Sequence, residues 1–219
     1  MNDISSTVVN EHSYECTITV DCAVFGFQDG VVKLLLVKRS VEPFKDKWML
    51  PGGIMGPEDS LEEAVGKVLY NLTDIDNVHY EQLKVYSRVD RHPIKRVLTV
   101  AFYALVKPEN HPVIAKKHVA EVNWFPLNDV PQLGFDHDEI SKDAWRRLKT
   151  NVEEKFLFGE LLPQQFTLKE LQDLYESIMG QELDRRNFRK KILQSKLIRS
   201  TGVKKKGVKG GPELFEIIE

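Results

Sequence analysis

A chain of 219 residues with 42% hydrophobic and 29% charged residues has the make-up of a soluble globular protein. No run approaches the ~20 apolar residues of a membrane-spanning helix, and Met1-Asn2-Asp3-Ile4-Ser5-Ser6 lacks the basic and apolar parts of a secretory signal. The net charge of −2 conceals an asymmetry: residues 185–219 hold eleven Lys or Arg against three Glu, a formal +8, which leaves −10 on the rest. A basic end of this kind fits either a polyanionic partner or a solvated tail, and charge alone does not choose.

In chain order, residues 17–39 read as a β-hairpin. β-Formers run from Thr17 to Phe27, Gln28-Asp29-Gly30 is a turn, and Val31 to Val37 resumes the apolar run. Cys16 and Cys22 fall in one extended segment, about 20 Å apart at ~3.3 Å per residue and beyond disulfide reach. Reduced cysteines and the absence of a leader point to the cytoplasm. A polar loop from Arg39 to Lys47 leads into Trp48-Met49-Leu50-Pro51-Gly52-Gly53. Ser60 then opens a helix with Leu61, Ala64, Val65, Val68, Leu69 and Leu72 on one stripe. Strands follow near 79–89 and 96–106, separated by the charged loop Asp90–Lys95. A short strand over Glu121–Pro126 and a helix over Ile140–Leu148 complete residues 1–150. Strands with helices between them predict an α/β (α+β) fold, a mixed sheet packed by helices.

Residues 151–219 have a different character. Thr167 and Glu170 form a capping box, with Phe166 and Leu171 as its hydrophobic staple. Leu168, Leu171, Leu174, Tyr175 and Ile178 make a buried stripe, and Gly180 is placed to end the helix. Asp184 caps a second helix through about Gln194, and Lys196–Glu219 reads as two strands around a tip at Gly202–Gly211. Helix, short connection, helix and basic hairpin is the order of a winged helix-turn-helix.

On the second helix, Arg185, Arg186, Arg189 and Lys190 fall within about 140° of one face, while Phe188 and Ile192 turn toward a core. Leu193 breaks this pattern and points to a more deeply buried helix end. The arginines and Asn187 have the donors that read base edges. Lys204, Lys205, Lys206 and Lys209 would meet phosphates. Double-stranded DNA is therefore the expected partner.

The segment from Gly52 to Ile75 resembles the Nudix signature: Gly, five residues, Glu, seven residues, then Arg-Glu-aliphatic-x-Glu-Glu-x-Gly. Aligned on Gly53, Asp59 stands for the first Glu and Lys67 for the Arg. The later glutamates fall on Val68, Asn71 and Leu72, which give a divalent metal no charged oxygen. Glu58, Asp59, Glu62 and Glu63 remain, but cluster at a helix start, where carboxylates offset the dipole in any case. Neither a metal nor another cofactor is expected, and hydrolysis would lack its main transition-state stabilisation.

The second half carries a further signature, Phe166-Thr167-Leu168-x-Glu170-Leu171-Gln172-x-Leu174-Tyr175-Glu176 and Leu183-Asp184-x-Arg186-Asn187-Phe188-Arg189-Lys190-Lys191-Ile192-Leu193. Across nearly its whole length the chain resembles the Nudix-related transcriptional regulators, the NrtR-like family. The resemblance implies a homodimeric repressor that leaves its DNA operator when a small molecule binds the Nudix-type domain. One branch responds to ADP-ribose and another to sugars such as L-arabinose, and the eroded box favours the sugar branch.

Effector contacts are expected from Arg39, Phe44, Trp48, Gly52 and Gly53. An aromatic beside a guanidinium suits a sugar or nucleotide, although a core tryptophan fits equally well. His137, in Phe135-Asp136-His137-Asp138, reads as a surface histidine at a capped helix start; the resemblance adds Phe135, Asp136 and His137 to the pocket border. His12, His79, His92, His111 and His118 show no ligand-like spacing. Two rival readings stand beside the sensor. One is a hydrolase of ADP-ribose-like compounds with a fused winged helix. The other is a constitutive DNA-binding protein whose first domain only dimerises.

Overall fold

Alternation along two long parallel strands sets the layers. A computed structural model describes residues 15–155, 161–207 and 209–218; the N-terminal stretch, with His12, and Val208 in the tip lie outside them. Strands β1 (Thr17–Gln28) and β6 (Val97–Val106) pair in parallel from Thr17↔Val97 to Gly26↔Val106. β2 (Val31–Arg39) returns antiparallel to β1 through a turn in which Asp29 and Gly30 both have positive φ, as a tight hairpin of this twist requires. β3 (Trp48–Met49), β4 (Gly52–Ile54), β5 (Tyr80–Tyr86) and β7 (Val119–Pro126) complete a seven-stranded mixed sheet. Its path runs β3-β2-β1-β6-β5, with β4 on β1 and β7 on β2.

Even-numbered residues of the central strands face one side. Val20, Cys22, Val24, Val100, Phe102 and Ala104 pack with Ala64, Val65 and Leu69 of α1 (Leu61–Thr73). Odd-numbered Ala23, Phe25, Ala101 and Tyr103 pack with Ile140, Ala144, Leu148 and Val152 of α2 (His137–Lys155). The period of two thus separates the helices into layers above and below the sheet. Ser60 caps α1 through a capping box with Glu63. Asp74, where the signature has Gly, ends it in the left-handed region at φ 67, which a short polar side chain tolerates. α2 starts earlier and ends later than its apolar pattern predicts, crossing residue 150.

The second half is a winged helix. Thr167 caps α3 (Leu168–Met179) with Glu170, and Gly180 closes it in the left-handed region. Asp184 caps α4 (Arg185–Gln194), accepting from the Asn187 N–H at 2.9 Å. β8 (Phe166–Thr167), β9 (Ile198–Lys204) and β10 (Glu213–Ile217) form a separate antiparallel sheet in the order β8-β10-β9. Leu161, Leu162, Phe166, Leu171 and Ile178 belong to the same buried cluster as the inner face of α2. The Val32 N–H of β2 also donates to Ser177 Oγ of α3 at 2.8 Å. The two halves therefore share one continuous core.

Leu193 overturns one expectation. It is 41% exposed, and Ile192 (4%) fills the core instead; the helix end is no deeper than its stripe. Truncation should separate them: Ile192→Ala costs about 2–5 kcal/mol and Leu193→Ala within about 0.5 kcal/mol in urea unfolding. Equal losses would contradict this assignment.

Candidate functional site

A cavity of about 450 Å³ opens where β1, β4, the 88–96 loop and the start of α2 converge. Asp21 and Thr19 project from β1, and Gly52, Gly53 and Ile54 form one wall. Arg39, His92 and Lys95 line it as well, and Phe135 and His137 close the far side. Apolar walls with a few convergent polar groups are the usual make-up of a small-molecule site, and the volume lies within the ordinary range.

Beneath the cavity lies a buried ionic network. The Arg91 guanidinium donates to both Asp136 oxygens, from Nε at 2.9 Å and Nη2 at 2.8 Å. The same Nη2 stands 3.5 Å from Asp21 Oδ2. His137 Nδ1 accepts the Leu50 N–H at 3.0 Å, so the ring proton belongs on Nε2, which faces Asp21 Oδ1 at 3.5 Å. Burial pushes the His137 pKa below its ordinary value, against the pull of Asp21 and Asp136. The ring is neutral, and it is buried at 3% exposure. The surface reading of His137 is thus corrected: its two nitrogens hold Leu50 and face Asp21.

Gly52 has a steric reason. A Cβ there would lie 1.8 Å from Asp21 Oδ1, so any other residue would displace the carboxylate. A Cβ on Gly53 would stand 3.0 Å from Val68 Cγ2. Phe135 is left-handed at φ 55, a strained conformation for a bulky residue. Its ring is held by Phe44 at 4.6 Å and by stacked His92 at 5.4 Å. Strain held in place by packing on a cavity wall is a common property of ligand clamps.

Arg39, Gly52, Gly53, Phe135 and His137 therefore meet around one cavity, as expected. Phe44, Trp48 and Asp136 do not line it. Phe44 backs Phe135, Trp48 packs edge-on against Phe125 at 4.8 Å, and Asp136 is spent on Arg91. Asp21, Arg91, His92 and Lys95 line the cavity too, although in the sequence Arg91, His92 and Lys95 read only as a charged loop and His92 shows no ligand-like spacing. One signal was available: Asp21 is an acid inside an apolar strand, and a buried charge requires partners.

The mouth is cationic. Arg39 is steadied by Val41 O at 2.9 Å and Glu42 O at 3.3 Å, and its guanidinium lies 5.9 Å from the Phe135 ring centroid. The His92 pKa is lowered by burial first, then by Lys95, Arg91 and Arg39. Such crowding of positive groups favours an anionic guest.

The box helix does not fit a divalent metal. Asp59 is ion-paired with Lys67 at 2.5 Å, and Glu63 is used in the capping box. Val68 packs toward Gly53, and Asn71 is exposed. Among the described residues, no group of three or more His, Cys, Asp or Glu is placed to hold a metal.

In the winged helix, Arg185, Arg186, Asn187, Arg189 and Lys190 are all exposed on α4. Phe188 packs against Tyr175 at 5.4 Å and fixes that orientation. Lys204, Lys206 and Lys209 are exposed in the wing. Lys205 departs from the expected phosphate role: it is half-buried and paired with Glu170 at 2.5 Å, tying the wing to α3. No helix among the described residues is long and apolar enough to cross a membrane.

Residues 17–144 match the model of the NUDIX domain, and residues 158–217 that of the NrtR DNA-binding winged helix domain. The chain is 31% identical over 202 residues to the ADPR responsive transcriptional repressor NtrR of Acinetobacter baylyi, covering 90% of this chain and 80% of that protein. It is also similar to Shewanella oneidensis NrtR complexed with a 27mer DNA, at 32% identity and a TM-score of 0.79, covering 92% and 93% of the two chains. The NUDIX domain of the Shewanella protein complexed with ADP ribose matches at 33% identity and a TM-score of 0.59, covering 62% and 90%.

The buried histidine sets a pH dependence. An unfolded His titrates near 6.5, and the folded His137 below that. Its neutral form therefore lends full stability above 6.5, and stability falls as pH drops through 6.5, by up to about 1.4 kcal/mol per pH unit. The fall in melting temperature between about pH 7.5 and 5.5 should be smaller in His137→Asn than in the wild type. Parallel curves would place the titration elsewhere.

Proposed function

We propose, since this chain belongs to the NrtR family of transcriptional regulators with a Nudix domain and a DNA-binding winged helix, that it is an effector-controlled repressor whose Nudix-type domain senses an ADP-ribose-like nucleotide sugar without hydrolysing it. The observation that carries the reading is the cavity itself, with a cationic mouth above a buried polar floor. Arg39, His92 and Lys95 suit the diphosphate of such a ligand. ADP-ribose is the signal of the Acinetobacter baylyi repressor and the bound ligand of the Shewanella oneidensis NUDIX domain. L-Arabinose, expected from the eroded box, is the poorer fit, because a neutral pentose leaves the cationic mouth unmatched.

In this reading the α4 residues Arg185, Arg186, Asn187 and Arg189 contact bases, and Lys190, Lys204, Lys206 and Lys209 contact phosphates. A homodimer would place two such helices on a palindromic operator, with half-sites about 10 bp or a multiple apart. The hydrolase reading is disfavoured by Val68, Asn71 and Leu72, with Asp59 already committed to Lys67. A duplex selected from a random pool by the full-length protein serves as operator for fluorescence anisotropy. ADP-ribose should weaken its binding about 5- to 100-fold, L-arabinose should not, and ADP-ribose should be recovered intact after incubation with magnesium. Release by arabinose alone, or phosphate-containing products, would overturn the reading.

Lysine substitutions separate the wing contacts. Lys206→Ala should lower the slope of log K against log salt by about 1, whereas Lys205→Ala should move it less, because Glu170 already neutralises that charge. Equal slopes for the two variants would contradict the assignment.

A further inference from the structure

Asp21 is a buried carboxylate at the cavity floor with too few donors. Its side chain is 7% exposed, yet it lines the cavity. Among the described residues its side-chain partners are Arg91 Nη2, 3.5 Å from Oδ2 and at the outer limit of a hydrogen bond, and His137 Nε2, 3.5 Å from Oδ1. Neither can serve it better without losing something else. Arg91 makes its short bonds to Asp136, and His137 is turned by Leu50. An ionised carboxylate has about four acceptor positions and is costly to bury without donors.

The surroundings restrict what could supply them. An anionic group would be repelled by Asp21 itself. A cationic group would meet Arg39, Arg91 and Lys95 around the same cavity. A neutral donor fits: Gly52, lacking a side chain, leaves the room that the Asp21 carboxylate occupies, and Asp21 lines the cavity there. We propose that Asp21 is the specificity-determining residue of the site, accepting hydrogen bonds from ribose hydroxyls of the effector while the diphosphate lies at Arg39, His92 and Lys95. This rests on the effector reading of the cavity. It orients the ligand: hydroxyls inward, phosphates toward the mouth. Arg91 and His137 act as positioning residues that hold the carboxylate in line.

Calorimetric titration of the full-length protein tests it, using wild type and Asp21→Asn with three ligands. These are ADP-ribose, ADP (no terminal ribose) and ADP-ribose lacking the adenosine 2′-hydroxyl. The wild type should bind ADP-ribose about tenfold or more tightly than at least one of the other two, the usual discrimination for a hydrogen bond to a charged group. Asp21→Asn should weaken ADP-ribose by a similar factor and the deficient ligand by less than about twofold. Wild-type affinities that are equal for all three ligands would overturn the assignment even if the variant fails to fold. An equal loss for every ligand in the variant would also overturn it, marking Asp21 as merely structural. No binding of any nucleotide by the wild type would instead sink the effector reading, and this assignment with it.

Discussion

A guanidinium buried against two carboxylates is the constraint on which the first half depends. Arg91 is 4% exposed at its side chain, and it joins the loop after β5 to Asp136 before α2 and to Asp21 in β1. Removing it would leave two buried carboxylates without their shared cation, a change that ordinarily costs about 3–5 kcal/mol. Several features answer to this network. Gly52 must lack a side chain because Asp21 occupies that space, and His137 must be neutral because it accepts the Leu50 N–H. The cavity is thus shaped by long-range ionic contacts, and the Nudix box contributes its glycine wall rather than its acids.

The same network reaches the other half of the chain through α2. Asp136 precedes that helix and His137 begins it, while Ile140, Ala144, Leu148 and Val152 along it share a core with Leu161, Leu162 and Phe166. In the proposed mechanism a ligand that draws on Asp21 shifts the balance of the Arg91 network, and α2 carries that bias to the winged helix. The ligand acts only through different affinities for the two arrangements. An intact, unhydrolysed effector suits such a sensor, since a signal destroyed on binding would report poorly.

Local features were legible in the sequence because local physics makes them. The hairpin turn at Asp29-Gly30, the capping boxes at Ser60 and Thr167 and the Asp184 cap each depend on a few adjacent residues. So did the exposed basic face of α4. What escaped notice was made by distance along the chain. Arg91 sits in a stretch that reads as a charged surface loop, and its partners lie 45 and 70 residues away. His137 looks like a polar residue at a helix start until the fold brings Leu50 and Asp21 against it. Lys205 is one of three consecutive lysines, and only the fold of the wing selects it for Glu170. Trp48 and Phe44 pack away from the cavity lining: an aromatic near an arginine in sequence need not face the same space.

In the proposed mechanism the cavity and the DNA-binding helix are energetically coupled, and coupling of binding free energies is reciprocal. The most direct measurement is the dissociation constant of ADP-ribose for the full-length protein, alone and saturated with its selected duplex. Binding to the DNA-bound protein should be weaker, by the same factor by which ADP-ribose weakens DNA binding, on the order of 5- to 100-fold. Identical constants in the two states would contradict this coupling, leaving two independent sites on one chain.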